Sequence, residues 1–184
     1  MTEYESLAEK HLATEEIFNG VILRVVRDRV ALPDGNSATR ELIRHIGAVC
    51  VVPVTEDGQV ILERQFRYPL DQVMTEIPAG KLDSPDEDRL SAAKRELLEE
   101  TGCSADNWTD LGVYYPTCAY SDEKITMYLA TGLHQGAQRL DEGEFLNVFT
   151  MPLKQAVEQI MAGEITDGKT QTALLKAAGK LGYF

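Results

Sequence analysis

Three glutamates, Glu96, Glu99 and Glu100, fall at positions i, i+3 and i+4 of the run Arg95-Glu96-Leu97-Leu98-Glu99-Glu100-Thr101-Gly102. In an α-helix, residues at those offsets share one face. Leu90, Ala93 and Leu97 supply an apolar stripe beside them, so the segment predicts an amphipathic helix from about Asp88 to Thr101. Pro78-Ala79-Gly80 and a short acidic loop lead in, and Gly102 offers a left-handed stop. Carboxylates gathered between a glycine loop and a glycine cap point to a hard-cation site.

A chain of 184 residues with 43% hydrophobic content is enough for one domain with a sizeable core. No stretch approaches the roughly 18–20 apolar residues of a membrane span, and the N-terminus lacks the basic head and apolar run of a secretory signal. The net charge of −12 repels nucleic-acid backbones. Neither nucleic acid nor membrane is therefore an expected partner. Cys50, Cys103 and Cys118 are far apart and form no C-x-x-C pair. That argues against a disulfide framework or a zinc site and for a reducing cytoplasm.

Residues 1–16 read as a polar, helical lead-in, and residues 1–45 as an N-terminal arm. In it Val21–Leu32 and Glu41–Arg44 form a β-hairpin about the turn Pro33-Asp34-Gly35-Asn36. Residues 46–184 form the main domain. Gly47–Val54 is a near-continuous apolar run, the mark of a buried strand. The turn Glu56-Asp57-Gly58 predicts Gln59–Arg64 as its hairpin partner. Further strands are expected at Glu76-Ile77, Thr109–Tyr115, Ile125–Ala130 and Phe145–Phe149, with helices through Leu153–Met161 and Thr170–Ala178. The fold class is α/β (α+β), a mixed sheet sandwiched between helices.

The segment from Gly80 through Glu87 to Arg95-Glu96-Leu97-Leu98-Glu99-Glu100-Thr101-Gly102-Cys103 resembles the Nudix box, G-x5-E-x7-R-E-U-x-E-E-x-G-U, with U a bulky aliphatic. One extra residue lies between Gly80 and Glu87, and Cys103 takes the last aliphatic position. The resemblance implies a hydrolase that splits a diphosphate linkage with divalent metal, Mg²⁺ or alternatively Mn²⁺. Bound cations lower the repulsion between an anionic diphosphate and its attacker, whereas crowded carboxylates alone repel one another and titrate upward. Position by position, it implies Glu96, Glu100 and Glu99 as metal ligands, the Ala79 carbonyl completing a site, Arg95 orienting a glutamate, and Glu87 as a weaker ligand. A base or further metal carboxylate is implied on the loop Asp141-Glu142-Gly143-Glu144, Glu144 before Glu142. Taken alone, such acids would read as solvated surface.

Outside the box, Glu76-Ile77-Pro78-Ala79-Gly80 and Gly163-Glu164-Ile165-Thr166-Asp167-Gly168-Lys169-Thr170 resemble runs of the ADP-ribose pyrophosphatase subfamily, and so does the arm. The substrate implied is a nucleoside diphosphate sugar, ADP-ribose first, yielding AMP and ribose 5-phosphate. A proline common in that subfamily sixteen residues past the box glycine is replaced by Cys118, with Pro116 two residues early. GDP-mannose or another sugar nucleotide is the nearest alternative, and a nucleotide-sensing module without turnover is a second. Arg64, Arg67 and Tyr68 lie in a segment similar to the subfamily's E-Q-x-R. Arginine suits phosphate through forked hydrogen bonds. Phe18 could stack on a base, and Arg40 and Glu76 could reach phosphate and terminal ribose. The resemblance also implies a homodimer through the arm, whose free strand edge needs a partner.

Overall fold

The computed structural model describes residues 2, 6–140 and 143–183. Its chain divides into two compact units, Met1–Ile46 with Thr117–Glu123, and Gly47–Pro116 with Lys124–Phe184.

The first unit is a three-stranded antiparallel sheet, β1 (Lys10–Asn19), β2 (Arg24–Ala31) and β3 (Ser37–Arg44), in that order. The helical lead-in expected up to residue 16 is thus wrong from Lys10 onward. Two register shifts, at His11/Ala13 and Glu16/Phe18, break the alternation of β1, and all ten of its residues are exposed. No period of two was there to be read. Inward-facing Val26 and Val30 are buried on β2 with Asp28 between them. The Asp28 carboxylate accepts from Thr14 Oγ1 at 2.6 Å and from Arg44 Nη2 at 2.8 Å. Asp122 in turn accepts from Arg44 and from the His45 backbone N–H, which ties residues 117–123 to the end of β3.

The second unit runs β4 (Ala48–Pro53), β5 (Gln59–Arg67), β6 (Gln72–Glu76), β7 (Ala79–Lys81), α1 (Arg89–Thr101), β8 (Cys103–Tyr114), β9 (Ile125–Gln135), β10 (Leu146–Pro152), α2 (Leu153–Ala162) and α3 (Gly168–Lys180). One sheet has the order β7-β4-β9-β8, with β4 and β9 parallel, and the other the order β10-β5-β6. The hairpin expected between β4 and β5 survives only as the single bridge Val54–Val60. Beyond it the two strands diverge into different sheets.

All six residues of β4 are buried, because each of its faces meets a core. Cys50 and Val52 pack with Leu62, Met127, Leu153 and Leu174 in the cluster that includes α2 and α3. Val49 and Val51 pack with Ile61, Ala92, Ala93 and Leu97 in the cluster that includes α1. Mixed sheets with helices packed on them are the architecture expected from the sequence. No helix among the described residues is long and apolar enough to cross a membrane.

Candidate active site

Helix α1 is set at both ends by its own sequence. The Asp88 side chain accepts from the Ser91 N–H at 2.8 Å as N-cap. Gly102 ends the helix at φ 73°, donating its N–H to the Leu98 carbonyl. Between them the buried face carries Ala92, Ala93, Glu96, Leu97 and Glu100. Two of the three glutamates on α1 are therefore inward, on the face that packs into the core, while Glu99 is half-exposed.

Arg95 gathers the acids around it, buried Glu96 among them. It donates to Glu96 Oε1 at 2.7 Å, Glu99 Oε2 at 3.1 Å, Glu87 Oε1 at 3.3 Å and the Lys81 carbonyl at 3.2 Å. Partial burial works against its charge, but the hydrogen bond to Glu87 and the pairing with Glu96 outweigh it and raise its pKa. Glu100 Oε2 accepts instead from the Ala79 N–H at 2.8 Å. A Cβ on Gly80 would stand 2.1 Å from the Glu96 carboxyl carbon, so only glycine lets the loop pass this close.

Burial pushes Glu96 up to about 7 against the pull of Arg95. It pushes Glu100 up to about 10, with the charges of Glu63 and Glu96 adding to the effect. Glu63 is pushed up to about 8, by burial first and by Glu76 second. Glu144, half-buried just ahead of β10, adds its negative charge to all three of Glu63, Glu96 and Glu100. It also accepts from Gln65 Nε2 at 3.5 Å. The fold thus brings a carboxylate from far along the chain to the helix. Glu142 lies outside the described residues.

Glu76 is held differently. Arg67 binds both of its oxygens, at 2.6 and 2.7 Å, and Lys169 binds Oε2. Burial raises Glu76, but the hydrogen bonds from Arg67 and the charge of Lys169 outweigh it and leave the group below its ordinary value. Lys169 is placed by α3, whose N-cap Asp167 accepts from the Thr170 N–H at 2.9 Å and from Lys169 Nζ at 3.0 Å. Thr170 Oγ1 accepts the Ile77 N–H at 3.1 Å and so ties α3 to the strand end that carries Glu76.

The remaining sequence candidates are spread out. The Arg64 guanidinium lies 4.0 Å over the Phe149 ring, on the opposite face of β5 from Glu63 and Arg67. Tyr68 is exposed. In the first unit, Phe18 is exposed and Arg40 is paired with Glu9. Two residues of the second unit had no role in the sequence reading and gain one from the structure. Lys169 neutralises Glu76, and Glu63 is an acid at an inward position. Glu63 ends the buried run of β5, whose other members Val60, Ile61 and Leu62 are apolar, and an acid closing such a run was the signal.

Among the described residues, no three His, Cys, Asp or Glu side chains already form a metal-holding group. Arg95 and the Ala79 N–H hold the box carboxylates in this structure. The donor chemistry nonetheless fits a hard divalent cation. The donors are carboxylate oxygens, Glu63 Oε2 is buried without a hydrogen-bond partner, and Gly80 leaves room beside Glu96.

Comparison with known proteins agrees with this chemistry. The model of the NUDIX domain matches residues 44–171. An ADP-ribose pyrophosphatase of Bacillus subtilis (strain 168) is 38% identical over 172 residues, 92% of this chain and 92% of the relative. A methanol dehydrogenase activator of Bacillus methanolicus is 38% identical over 168 residues, 90% of each chain. The crystal structure of an ADP compounds hydrolase shares the fold, with a TM-score of 0.84 over 96% of this chain and 97% of its own, at 23% identity. The chain belongs to the Nudix family of hydrolases, enzymes that generally need a divalent metal ion.

Proposed function

We propose that this hydrolase cleaves the diphosphate linkage of a nucleoside diphosphate sugar, ADP-ribose first, to AMP and ribose 5-phosphate. The observation that carries the reading is the end-to-end similarity to the Bacillus subtilis ADP-ribose pyrophosphatase, 38% over 92% of both chains. Glu96, Glu99 and Glu100, with the Ala79 carbonyl, are the proposed holders of Mg²⁺ or Mn²⁺. When bound, the cation offsets phosphate charge and makes a coordinated water more acidic.

The protein's own groups do the rest. Arg95 fixes the rotamers of Glu96 and Glu99, and the Ala79 N–H fixes Glu100. Glu144 takes the proton of the attacking water as its oxygen bonds to one phosphorus, and the bridging P–O bond breaks to release a phosphate monoester on each side. Arg64, Arg67, Tyr68, Glu76, Arg40 and Phe18 are the proposed substrate contacts. Arg67 binds Glu76 in this structure, so a phosphate would be a second partner for its guanidinium.

A panel of ADP-ribose, GDP-mannose, NADH and nucleoside triphosphates with Mg²⁺ tests the substrate. The expected result is the highest kcat/KM on ADP-ribose, with AMP and ribose 5-phosphate as products. Preference for GDP-mannose would move the assignment to that sugar nucleotide. A second reading is a nucleotide-sensing module without turnover; the Bacillus methanolicus relative is by name an activator of methanol dehydrogenase. Glu100→Gln separates the two, because only a hydrolase has a rate to lose.

Residues 1–45 are proposed as a dimerisation arm in a cytoplasmic homodimer. Supporting this, β1 is exposed along its length and carries Leu12, Ile17 and Phe18 on its surface. A monomer by sedimentation at micromolar concentration would contradict it.

A further inference from the structure

Glu63 has no part in the reaction described above. It sits mid-way along β5, opposite Val148 on β10 and Glu76 on β6. Its relative exposure is 1%, and its Oε2 has no hydrogen-bond partner. Side chains alternate along a strand, so Glu63 faces the same way as Ile61. Ile61 packs against Ala92, Ala93 and Leu97 of α1, which turns Glu63 toward the helix that carries Glu96 and Glu100.

A buried carboxylate is costly unless it is paired. The nearby cations are already engaged. Arg67 and Lys169 bind Glu76, and Arg95 binds Glu87, Glu96 and Glu99. Among the described residues, no ion pair of Glu63 or Glu100 with Lys, Arg or His is formed. Glu144, ahead of β10, reaches Gln65 on the strand that carries Glu63, and the charges of Glu63 and Glu144 both act on Glu100, so helix, strand and pre-strand loop each bring an acid within electrostatic reach of the others. A small hard cation prefers several oxygens around it, and here they would come from three directions.

We propose that Glu63 is a further oxygen ligand of the divalent cation bound by the α1 glutamates, contributed from the sheet and lying outside the box. This rests on the metal-dependent reading above.

The test is Mn²⁺ binding without substrate, read by electron paramagnetic resonance of the free ion and by calorimetry, alongside the Mn²⁺-induced rise in Tm. Wild type, Glu63→Gln and Glu63→Asp are compared. Wild type is expected to bind. Glu63→Gln, which keeps the shape and removes the charge, is expected to bind about 10–100-fold more weakly and to gain less Tm from Mn²⁺. Glu63→Asp, which keeps the charge and draws it back by one methylene, is expected to fall between them and stands in should Glu63→Gln not fold. Wild-type Mn²⁺ affinity in a folded Glu63 variant would overturn the inference alone, leaving Glu63 a buried neutral acid. Absence of Mn²⁺ binding to the wild type would overturn the metal reading and the inference with it.

Discussion

Arg67 binds Glu76 through both of its carboxylate oxygens, Nε to Oε1 at 2.6 Å and Nη2 to Oε2 at 2.7 Å. Lys169 closes the same carboxylate from α3. Glu76 is 1% exposed, so its charge depends on both cations. Removing one partner of a buried ion pair leaves the other uncompensated, at a cost of about 3–5 kcal/mol. Lys169→Met leaves the Arg67 pair in place and should therefore lower unfolding free energy in urea by part of that, about 1–3 kcal/mol. A change below about 1 kcal/mol would mean Arg67 alone suffices.

Gly80 allows a sharper separation of stability from function. A methyl group there would meet the Glu96 carboxylate at 2.1 Å, the far end of a flexible side chain. Gly80 has no positive φ to lose. Gly80→Ala should thus leave the Tm within a few degrees of wild type while displacing Glu96, with Mn²⁺ affinity and kcat both falling at least tenfold. Unchanged metal affinity would show that Glu96 can do its work from another rotamer.

Local signals in the sequence were enough for α1, and long-range ones were not. The helix has a 3.6-residue apolar stripe, an Asp cap and a Gly stop, each acting within a few residues. β4 was legible for the same reason, as an apolar run buried on both faces. A turn such as Glu56-Asp57-Gly58 says that the chain reverses but not which strand each arm pairs with afterwards. β4 goes to β7 and β9, and β5 to β6 and β10. The convergence of Glu63, Glu100 and Glu144 depends on that pairing; Glu100 stood in a readable motif, Glu144 came from the family resemblance, and Glu63 from neither.

The raised carboxyls set a pH dependence with a definite sign. Glu63, Glu96 and Glu100 hold protons to about 8, 7 and 10 in the folded protein, against an ordinary 4.5. The folded state therefore binds protons that the unfolded chain releases. Its advantage is full below the ordinary value and is lost as pH rises through the folded values. Without metal, Tm should fall from about pH 5 toward pH 9, and Mg²⁺ or Mn²⁺ should restore most at the upper end. Calorimetric scans in EDTA and in Mn²⁺ at three pH values would check this. A flat EDTA profile would mean that these acids relax into solvent.

The assignment of the base rests on position and charge. Glu144 is half-buried, reaches Gln65 and shares its field with Glu63, Glu96 and Glu100. General-base catalysis contributes about 10²–10⁴ in rate. Glu144→Gln should cut kcat on ADP-ribose by that factor with KM little changed, because the amide still accepts a hydrogen bond but cannot take the proton. Glu142→Gln should stay within a few-fold of wild type. If the large loss follows Glu142→Gln instead, the base sits two residues earlier. If both are mild, proton removal falls to another carboxylate of the cluster, and Glu99, half-exposed and held by Arg95 at 3.1 Å, is the next to replace.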